Sequence, residues 1–293
     1  MRAAISFLAI LFLLSLLGLA TAAWQVASRL AAPAPSVPGE PPRGTGWEGV
    51  SIPRADGSQV AGWYGRGEAG CAGILLLHPI RTDRRTMVRR AQRLHAAGYS
   101  VLLVDLHAHG ETPGAHITFG HHEGKDAVLA AEALSRKVDG APVGAIGVSL
   151  GGAAIVLGGA PVDAAVLESV YSDIRSAIDA RLRVRFGSVG PLLTPLFLMQ
   201  LSLRLDIAID ELRPEKRMDA LGAAVLILGG AEDRLATPDD ARRLYEAAGE
   251  PRRLVLFPQV GHVDLYASSS AYWPIVTAFL QEHLGACSKT PSP

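Results

Sequence analysis

The chain has 293 residues, of which 49% are hydrophobic and 19% charged, and this composition excludes an intrinsically disordered protein. Lys plus Arg balance Asp plus Glu at 28 each, so there is no global basic field to attract nucleic acid, and we expect no nucleic-acid partner. The length suits about one large domain with a substantial buried core.

An uncharged apolar run extends from Ala3 to about Trp24. Near twenty such residues can span a bilayer as a helix. Residues 1–24 are therefore either an uncleaved signal anchor, which we favour, or a signal peptide cleaved after the small-x-small pattern of residues 20–22. In both interpretations the rest of the chain is translocated, so we expect it to be membrane-anchored outside the cytoplasm or exported.

Residues 25–45 follow as a linker, because the stretch from Ala31 to Arg43 is rich in Pro and Ala. Such a composition favours extended, semi-rigid backbone and acts as a spacer. We place one folded domain at residues 46–285 and a tail at 286–293.

Within this domain, short β-rich runs alternate with helical patterns. The predicted strands cover residues 47–53, 59–64, 73–77, 100–105, 143–148, 164–168, 223–228 and 253–257. The predicted helices cover residues 84–97, 123–137, 150–157, 239–248 and 270–284. This alternation predicts an α/β fold with a mainly parallel central sheet and helices on both faces. Functional residues of such a sheet are expected beyond the carboxyl ends of its strands.

The stretch at about 171–218 interrupts the alternation, since it is too long for one simple crossover. Its apolar run at residues 191–199 (PLLTPLFLM) favours a helical cap over the strand ends. An ordinary crossover helix with longer loops and a lid that docks on a membrane are the alternatives.

The segment GVSLGG at residues 147–152 ends a buried strand and begins a helix rich in small residues. A strand-to-helix turn this tight needs positions without bulk on both sides, and it presents the hydroxyl of Ser149 in the open. The amides at the start of the helix favour negative charge nearby. Ser149 is therefore the predicted nucleophile, with a glycine-rich packing turn as the alternative.

A serine hydroxyl needs a base, and a carboxylate that orients the base. His262 follows the last predicted strand, and Asp233 follows the strand at 223–228. The order Ser, Asp, His along the chain is the one expected of this arrangement. Glu168, which also follows a strand, is the rival acid, and Glu232 adjoins Asp233.

A tetrahedral oxyanion needs backbone donors. We predict the amide of Leu150, directly after the serine, and an amide from the loop after residue 77. Pro79 has no amide hydrogen, so Ile80 is the predicted second donor.

Taken together, these residues resemble the α/β-hydrolase superfamily over about residues 47–284, near its serine aminopeptidase-like and BEM46-like bacterial branch. The stretch DLHAHGET at residues 105–112 resembles the superfamily's D-x-x-G-H-G-x-S motif. The sequence departs from the pattern at Pro79, where glycine is usual, and at His107 and Ala108, where arginine and glycine are common. The resemblance implies esterase, thioesterase, lipase or peptidase activity without a cofactor.

The leading hypothesis is hydrolysis of a carboxylic ester or thioester of a small-molecule acyl substrate through an acyl-serine. A peptidase or acyltransferase with the same three residues, and a non-catalytic binding protein on the same fold, are the alternatives. We expect no metal, although seven of the nine histidines lie between residues 78 and 122. The oligomeric state and the role of the cap stay open.

Cys71 and Cys287 are too few for a disulfide framework and match no metal motif. They could pair in an oxidising compartment. The sequence alone favours two unpaired, partly buried thiols.

Overall fold

The structure, a computed structural model, describes residues 2–287; Met1 and residues 288–293 of the predicted tail lie outside the described residues. The strands are β1 Ala34–Pro35, β2 Glu48–Pro53, β3 Gln59–Gly65, β4 Gly73–Leu77, β5 Ser100–Val104, β6 His109–Gly110, β7 Val143–Val148, β8 Ala164–Glu168, β9 Ala224–Gly230 and β10 Arg252–Phe257. The α-helices are α1 Arg2–Ala31, α2 Val88–Ala96, α3 His121–Lys137, α4 Leu150–Gly158, α5 Ile174–Phe186, α6 Thr194–Leu205, α7 Pro238–Ala247, α8 Leu265–Ser268 and α9 Tyr272–Leu284.

One eight-stranded sheet forms the centre of the fold, with the order β10-β9-β8-β7-β4-β5-β3-β2. β3 runs antiparallel to both β2 and β5, and the other neighbours are parallel. The predicted mainly parallel sheet is therefore confirmed. The carboxyl ends of β7, β8 and β9 meet at one edge, where Ser149, Glu168 and Asp233 lie.

Helices cover both faces of the sheet, because successive side chains of a strand point to opposite sides. Leu75 and Leu77 of β4 belong to the hydrophobic cluster that includes α3, α4 and α7. Ile74 and Leu76 belong to the cluster that includes α2 and α9. The central strands are buried on both sides, which explains their unbroken apolar runs.

The long stretch between β8 and β9 is helical, as the apolar run predicts. It contains α5, a 3-10 segment over Gly187–Leu193, α6, and three further 3-10 turns at Ile209–Glu211, Pro214–Lys216 and Asp219–Leu221. We call α5 to α6 the cap, because its side chains face the strand-end region around Ser149.

The segment before the predicted domain start lies against the domain. Ala23, Ala27 and Ala31 of α1, spaced four residues apart, are buried on one face of the helix. Beyond the helix, β1 pairs in parallel with β6, and Trp63 Nε1 donates to the Gly39 carbonyl at 3.3 Å. The expected spacer therefore contacts the domain rather than standing away from it.

The two cysteines form a disulfide, so the expectation of unpaired thiols is wrong. Cys71 precedes β4 and Cys287 follows α9, 216 residues later, with 5.6 Å between the Cα atoms. The sheet and α9 bring these positions together, and this proximity is a property of the tertiary fold that spacing along the chain does not reveal.

Candidate active site

Ser149 lies at a sharp turn between β7 and α4. Its backbone has φ 50° and ψ −105°, a conformation that side-chain-bearing residues rarely adopt. A Cβ on Gly147 would come within 2.4 Å of the Gly152 nitrogen, and one on Gly151 within 2.4 Å of the Leu77 carbonyl oxygen. The glycines of the motif are therefore required by close backbone approach, as the sequence analysis predicts.

His262 and Asp233 are hydrogen-bonded to each other. His262 Nδ1 lies 2.8 Å from Asp233 Oδ2, and the Asp233 side chain is fully buried whereas that of His262 is 28% exposed. The other carboxylate oxygen accepts the amides of Leu235 at 2.8 Å and Ala236 at 3.0 Å. The carboxylate is thus held by three partners, and its bond to Nδ1 leaves Nε2 of the imidazole facing away from it.

Glu168, the rival acid, has other partners. Arg90 Nη2 donates to Glu168 Oε2 at 2.7 Å, and Tyr272 Oη donates to Glu168 Oε1. Arg90 also pairs with Asp264 at 2.5 Å. Because Glu168 is fully buried within this network, its carboxylate stabilises an arginine and not the imidazole of His262.

A cavity of about 310 Å³ brings Ser149 and His262 to the same space. No hydrogen bond joins their side chains within residues 2–287. Such bonds are often long in unliganded enzymes and shorten once substrate is bound. The three residues predicted as nucleophile, base and acid thus converge on one edge of the sheet.

Ser169 lines the same cavity and shares the backbone angle of Ser149, with φ 50°. Its hydroxyl is buried and has no hydrogen-bond partner among the described residues. The serine follows β8 and carries no sequence motif, so sequence reasoning missed it.

The predicted oxyanion donors lie beside Ser149. Ile80 and Leu150 line a second, apolar cavity together with Ser149. The neighbouring amide of Arg81 is already used, because it donates to His109 Nε2 at 2.9 Å. Among residues 2–287 the Ile80 amide has no acceptor and is therefore free to bind an anion, as are the amides of Thr82 and Asp83 further along the loop.

Two buried histidines hold this loop. His78 Nε2 accepts the Leu106 amide at 3.0 Å and its Nδ1 donates to the Pro79 carbonyl at 2.8 Å. Burial, with a smaller contribution from His109, lowers the pKa of His78 to about 3. Burial also lowers the pKa of His109, whose Nδ1 donates to the His107 carbonyl at 2.8 Å. Both rings accept an amide hydrogen at Nε2, so both are neutral, and they fix the loop that contains Pro79.

The apolar cavity is lined largely by the cap and by α1. Its walls include Ala27 and Leu30 of α1, Ile174, Ala177, Ile178 and Arg181 of α5, and Phe197 and Leu201 of α6. The α1 residues were not predicted as part of the site, because the run was interpreted as an anchor alone. In the second half of α1, small residues recur at every fourth position. This spacing is the sequence signal that the helix packs against protein.

Another cavity, of about 730 Å³, lies elsewhere and is lined by Arg54, His107, His121, His122 and Asp126 among others. Arg54 and Asp126 form an ion pair at 2.6 Å there. Within residues 2–287, no group of three or more His, Cys, Asp and Glu side chains could hold a metal ion.

Comparison with known proteins gives two curated relatives, both uncharacterized proteins of Mycobacterium tuberculosis. One is 32% identical over 259 residues and covers 84% of each chain; the other is 32% identical over 241 residues, covering 80% of this chain and 78% of its own. No protein-family model matches the chain.

Solved structures share the fold. An esterase of Pyrococcus furiosus superposes with a TM-score of 0.71 at 19% identity, over 87% of this chain and 100% of its own. An α/β-hydrolase from Penicillium gives 0.61 at 15% identity, over 81% and 99%. A monoacylglycerol lipase of Paleococcus ferrophilus gives 0.55 at 18% identity, over 76% and 99%.

The branch within the superfamily stays a prediction, since the relatives are uncharacterized and the structural neighbours share the fold alone. The chain belongs to one family with the two mycobacterial proteins, and it has the α/β-hydrolase fold.

Proposed function

We propose that the protein is a serine hydrolase that cleaves a carboxylic ester or thioester through an acyl-serine intermediate. The observation that carries the proposal is the His262–Asp233 hydrogen bond of 2.8 Å beside a serine held at φ 50°, with His262 and Ser149 lining one cavity. The neighbours named esterase and lipase share this fold and support the proposal.

In the acylation step, Ser149 Oγ attacks the carbonyl carbon while His262 Nε2 takes the hydroxyl proton. The Nδ1–H of the resulting imidazolium stays bonded to Asp233, which fixes the tautomer and offsets the new charge. The amides of Leu150 and Ile80 donate to the tetrahedral oxyanion.

Collapse of this intermediate breaks the bond to the alcohol or thiol, which leaves with the proton from His262. Water then loses a proton to His262 and attacks the acyl-serine, and a second collapse releases the acid and restores Ser149. Every proton is exchanged through one imidazole, so the cycle needs no cofactor.

The domain is proposed to lie outside the cytoplasm. A disulfide between Cys71 and Cys287 is typical of an oxidising compartment. The apolar helix α1 is long enough to span a membrane, and Ile5–Ala31 has a mean hydropathy of 2.4. Protease digestion of intact cells tests this placement, because an extracytoplasmic domain is degraded whereas a cytoplasmic one is protected.

Labelling with a fluorophosphonate probe tests the nucleophile. We expect the full-length protein to be labelled and Ser149→Ala to be unlabelled. Ser169→Ala is the matched control, since this serine lines the same cavity with the same φ and should leave labelling intact. Equal labelling of wild type and Ser149→Ala, or no labelling of folded wild type, would sink the proposal.

A further inference from the structure

The first half of α1 is an exposed apolar rod. The helix is continuous over 30 residues, and its side chains from Ile5 to Leu17 are exposed at 45–64% wherever they are large and described. A helix that is apolar all round and not covered by protein fits the hydrocarbon core of a bilayer.

The second half of α1 is fixed on the domain. Arg204 of α6 donates from Nη2 to the Trp24 carbonyl at 3.2 Å, and its guanidinium lies 4.2 Å from the centre of the Trp24 ring. Arg81 donates from Nη1 to the carbonyls of Arg29 at 3.0 Å and Ala32 at 3.1 Å. The angle and depth of the domain relative to the apolar rod are therefore set by direct contacts.

The helix geometry places the apolar cavity close to the bilayer. The twenty residues from Ile5 to Trp24 span about 30 Å, the thickness of a hydrocarbon core. Trp24 then lies at the interface, where tryptophan is enriched, and Arg29 lies among the headgroups. Leu30, which lines the cavity beside Ser149, is only about 9 Å further along the helix axis.

The cap carries exposed apolar side chains near the level of Trp24, where the membrane interface is expected. Met199 and Leu203 lie one turn apart on α6, which contacts α1, and they are 54% and 71% exposed. Val184, Phe186, Val189 and Leu192 are also exposed, beside the exposed Arg183 and Arg185. Apolar residues mixed with cations are typical of segments that lie in the membrane interface.

The stretch Ile174–Leu205 is also long and apolar enough to cross a membrane, but the 3-10 segment Gly187–Leu193 interrupts it. Its inward side chains Ile174, Leu182, Leu198 and Leu201 are buried against the domain. It is therefore a surface that can rest on a membrane, and within residues 2–287 only α1 is free to cross one.

We infer that the enzyme takes a long-chain acyl ester directly from the bilayer that α1 spans, with the acyl chain entering between α1 and α6 toward Ser149. This substrate class rests on the proposed hydrolase function. The cavity walls from Ala27, Leu30, Phe197 and Leu201 are apolar, and these residues belong to α1 and α6, the two helices between which the acyl chain would enter. We call Met199, Leu203 and the exposed apolar residues at 184–192 the docking surface.

The test uses full-length protein reconstituted in phosphatidylcholine vesicles. Two esters share one leaving group: 4-methylumbelliferyl palmitate embedded in the vesicles and soluble 4-methylumbelliferyl acetate. Met199→Glu/Leu203→Glu should lower palmitate hydrolysis at least about tenfold and leave acetate hydrolysis unchanged, since the charges oppose contact with lipid. Val37→Glu, at an apolar residue that is 79% exposed outside the cap, should change neither rate.

Palmitate hydrolysis that survives in the double variant, or wild type that cleaves acetate but not palmitate, would overturn the inference while the hydrolase function stands. If wild type cleaves neither ester and is not labelled by the fluorophosphonate probe, the proposed hydrolase function itself is wrong. If the double variant fails to fold, Val189→Glu/Leu192→Glu replaces it with the same expected split.

A second readout does not depend on turnover. An environment-sensitive fluorophore on Leu203→Cys should be quenched by a quencher carried on the lipid, whereas one on Val37→Cys should not. Equal quenching at both positions, or none at Leu203→Cys, would contradict the docking surface.

Discussion

Two buried carboxylates follow adjacent parallel strands, and their partners give them different roles. Asp233, after β9, binds His262 and two amides. Glu168, the last residue of β8, binds Arg90 and Tyr272. Position at the edge of the sheet therefore identifies a possible acid, but only the side chain it meets decides whether it orients a base or neutralises a cation.

Asp233→Asn gives the largest expected effect. The amide cannot stabilise the imidazolium and favours the wrong tautomer, so kcat on a soluble ester should fall by roughly 10³- to 10⁴-fold. Steady-state kinetics measures this loss, and circular dichroism checks that the variant is folded. A folded variant with nearly wild-type kcat would show that another group orients His262.

Glu168→Gln should act on stability instead. It leaves the buried Arg90 with Asp264 as its remaining acidic partner, so the free energy of unfolding should fall by about 3 kcal/mol while kcat changes little. Chemical denaturation measures the change. The double variant Arg90→Met/Glu168→Gln is the control, since removing the cation should recover part of the loss. A large fall of kcat in folded Glu168→Gln would show that Glu168, like Asp233, acts in the reaction.

Much of this edge of the sheet could be predicted from sequence. The tight turn at Ser149 has a local signature, because its glycines are forced by backbone contacts within a few residues. Asp233 and His262 each follow a predicted strand, and parallel strands bring their ends together. The choice between Asp233 and Glu168 depends on the side chains that each meets in space, and the acid of the reaction stays a prediction.

What sequence could not supply were contacts between distant segments. The Cys71–Cys287 bond joins residues 216 apart, and the pairing carries no local signal. In α1, Ala23, Ala27 and Ala31 pack on the domain; their four-residue spacing indicates a packed face, but it does not say which part of the chain covers that face. The sequence of the Pro- and Ala-rich segment predicts a spacer and not a strand, because its pairing with β6 uses backbone groups alone.

The pH dependence of stability tests the structural role of the buried His78. His78 stays neutral because burial lowers its pKa to about 3, so below the unfolded value of about 6.5 the unfolded chain binds a proton that the folded chain does not. The free energy of unfolding should therefore fall as pH drops below about 6.5, with His78 contributing about 1.4 kcal/mol per pH unit. Denaturation at several pH values should give a shallower slope for His78→Gln, and an unchanged slope would refute the neutral structural role.

The two serines give the smallest expected effect. Ser149 and Ser169 share a φ of 50°, yet only Ser149 is proposed as the nucleophile. Because the Ser169 hydroxyl has no partner in the described structure, Ser169→Ala should change the free energy of unfolding by less than about 1 kcal/mol. Thermal melts and ester kinetics measure both quantities. A large loss of kcat would assign Ser169 a part in the reaction.

The most direct measurement traps the acyl group on the protein. Wild-type enzyme is mixed with an activated ester, quenched in acid during the first turnover, and digested for peptide mass spectrometry. The account predicts one acyl adduct, on Ser149, that is absent from Ser149→Ala. An adduct on another residue such as Ser169, or ester turnover with no adduct under conditions that trap one in a control serine esterase, would contradict it.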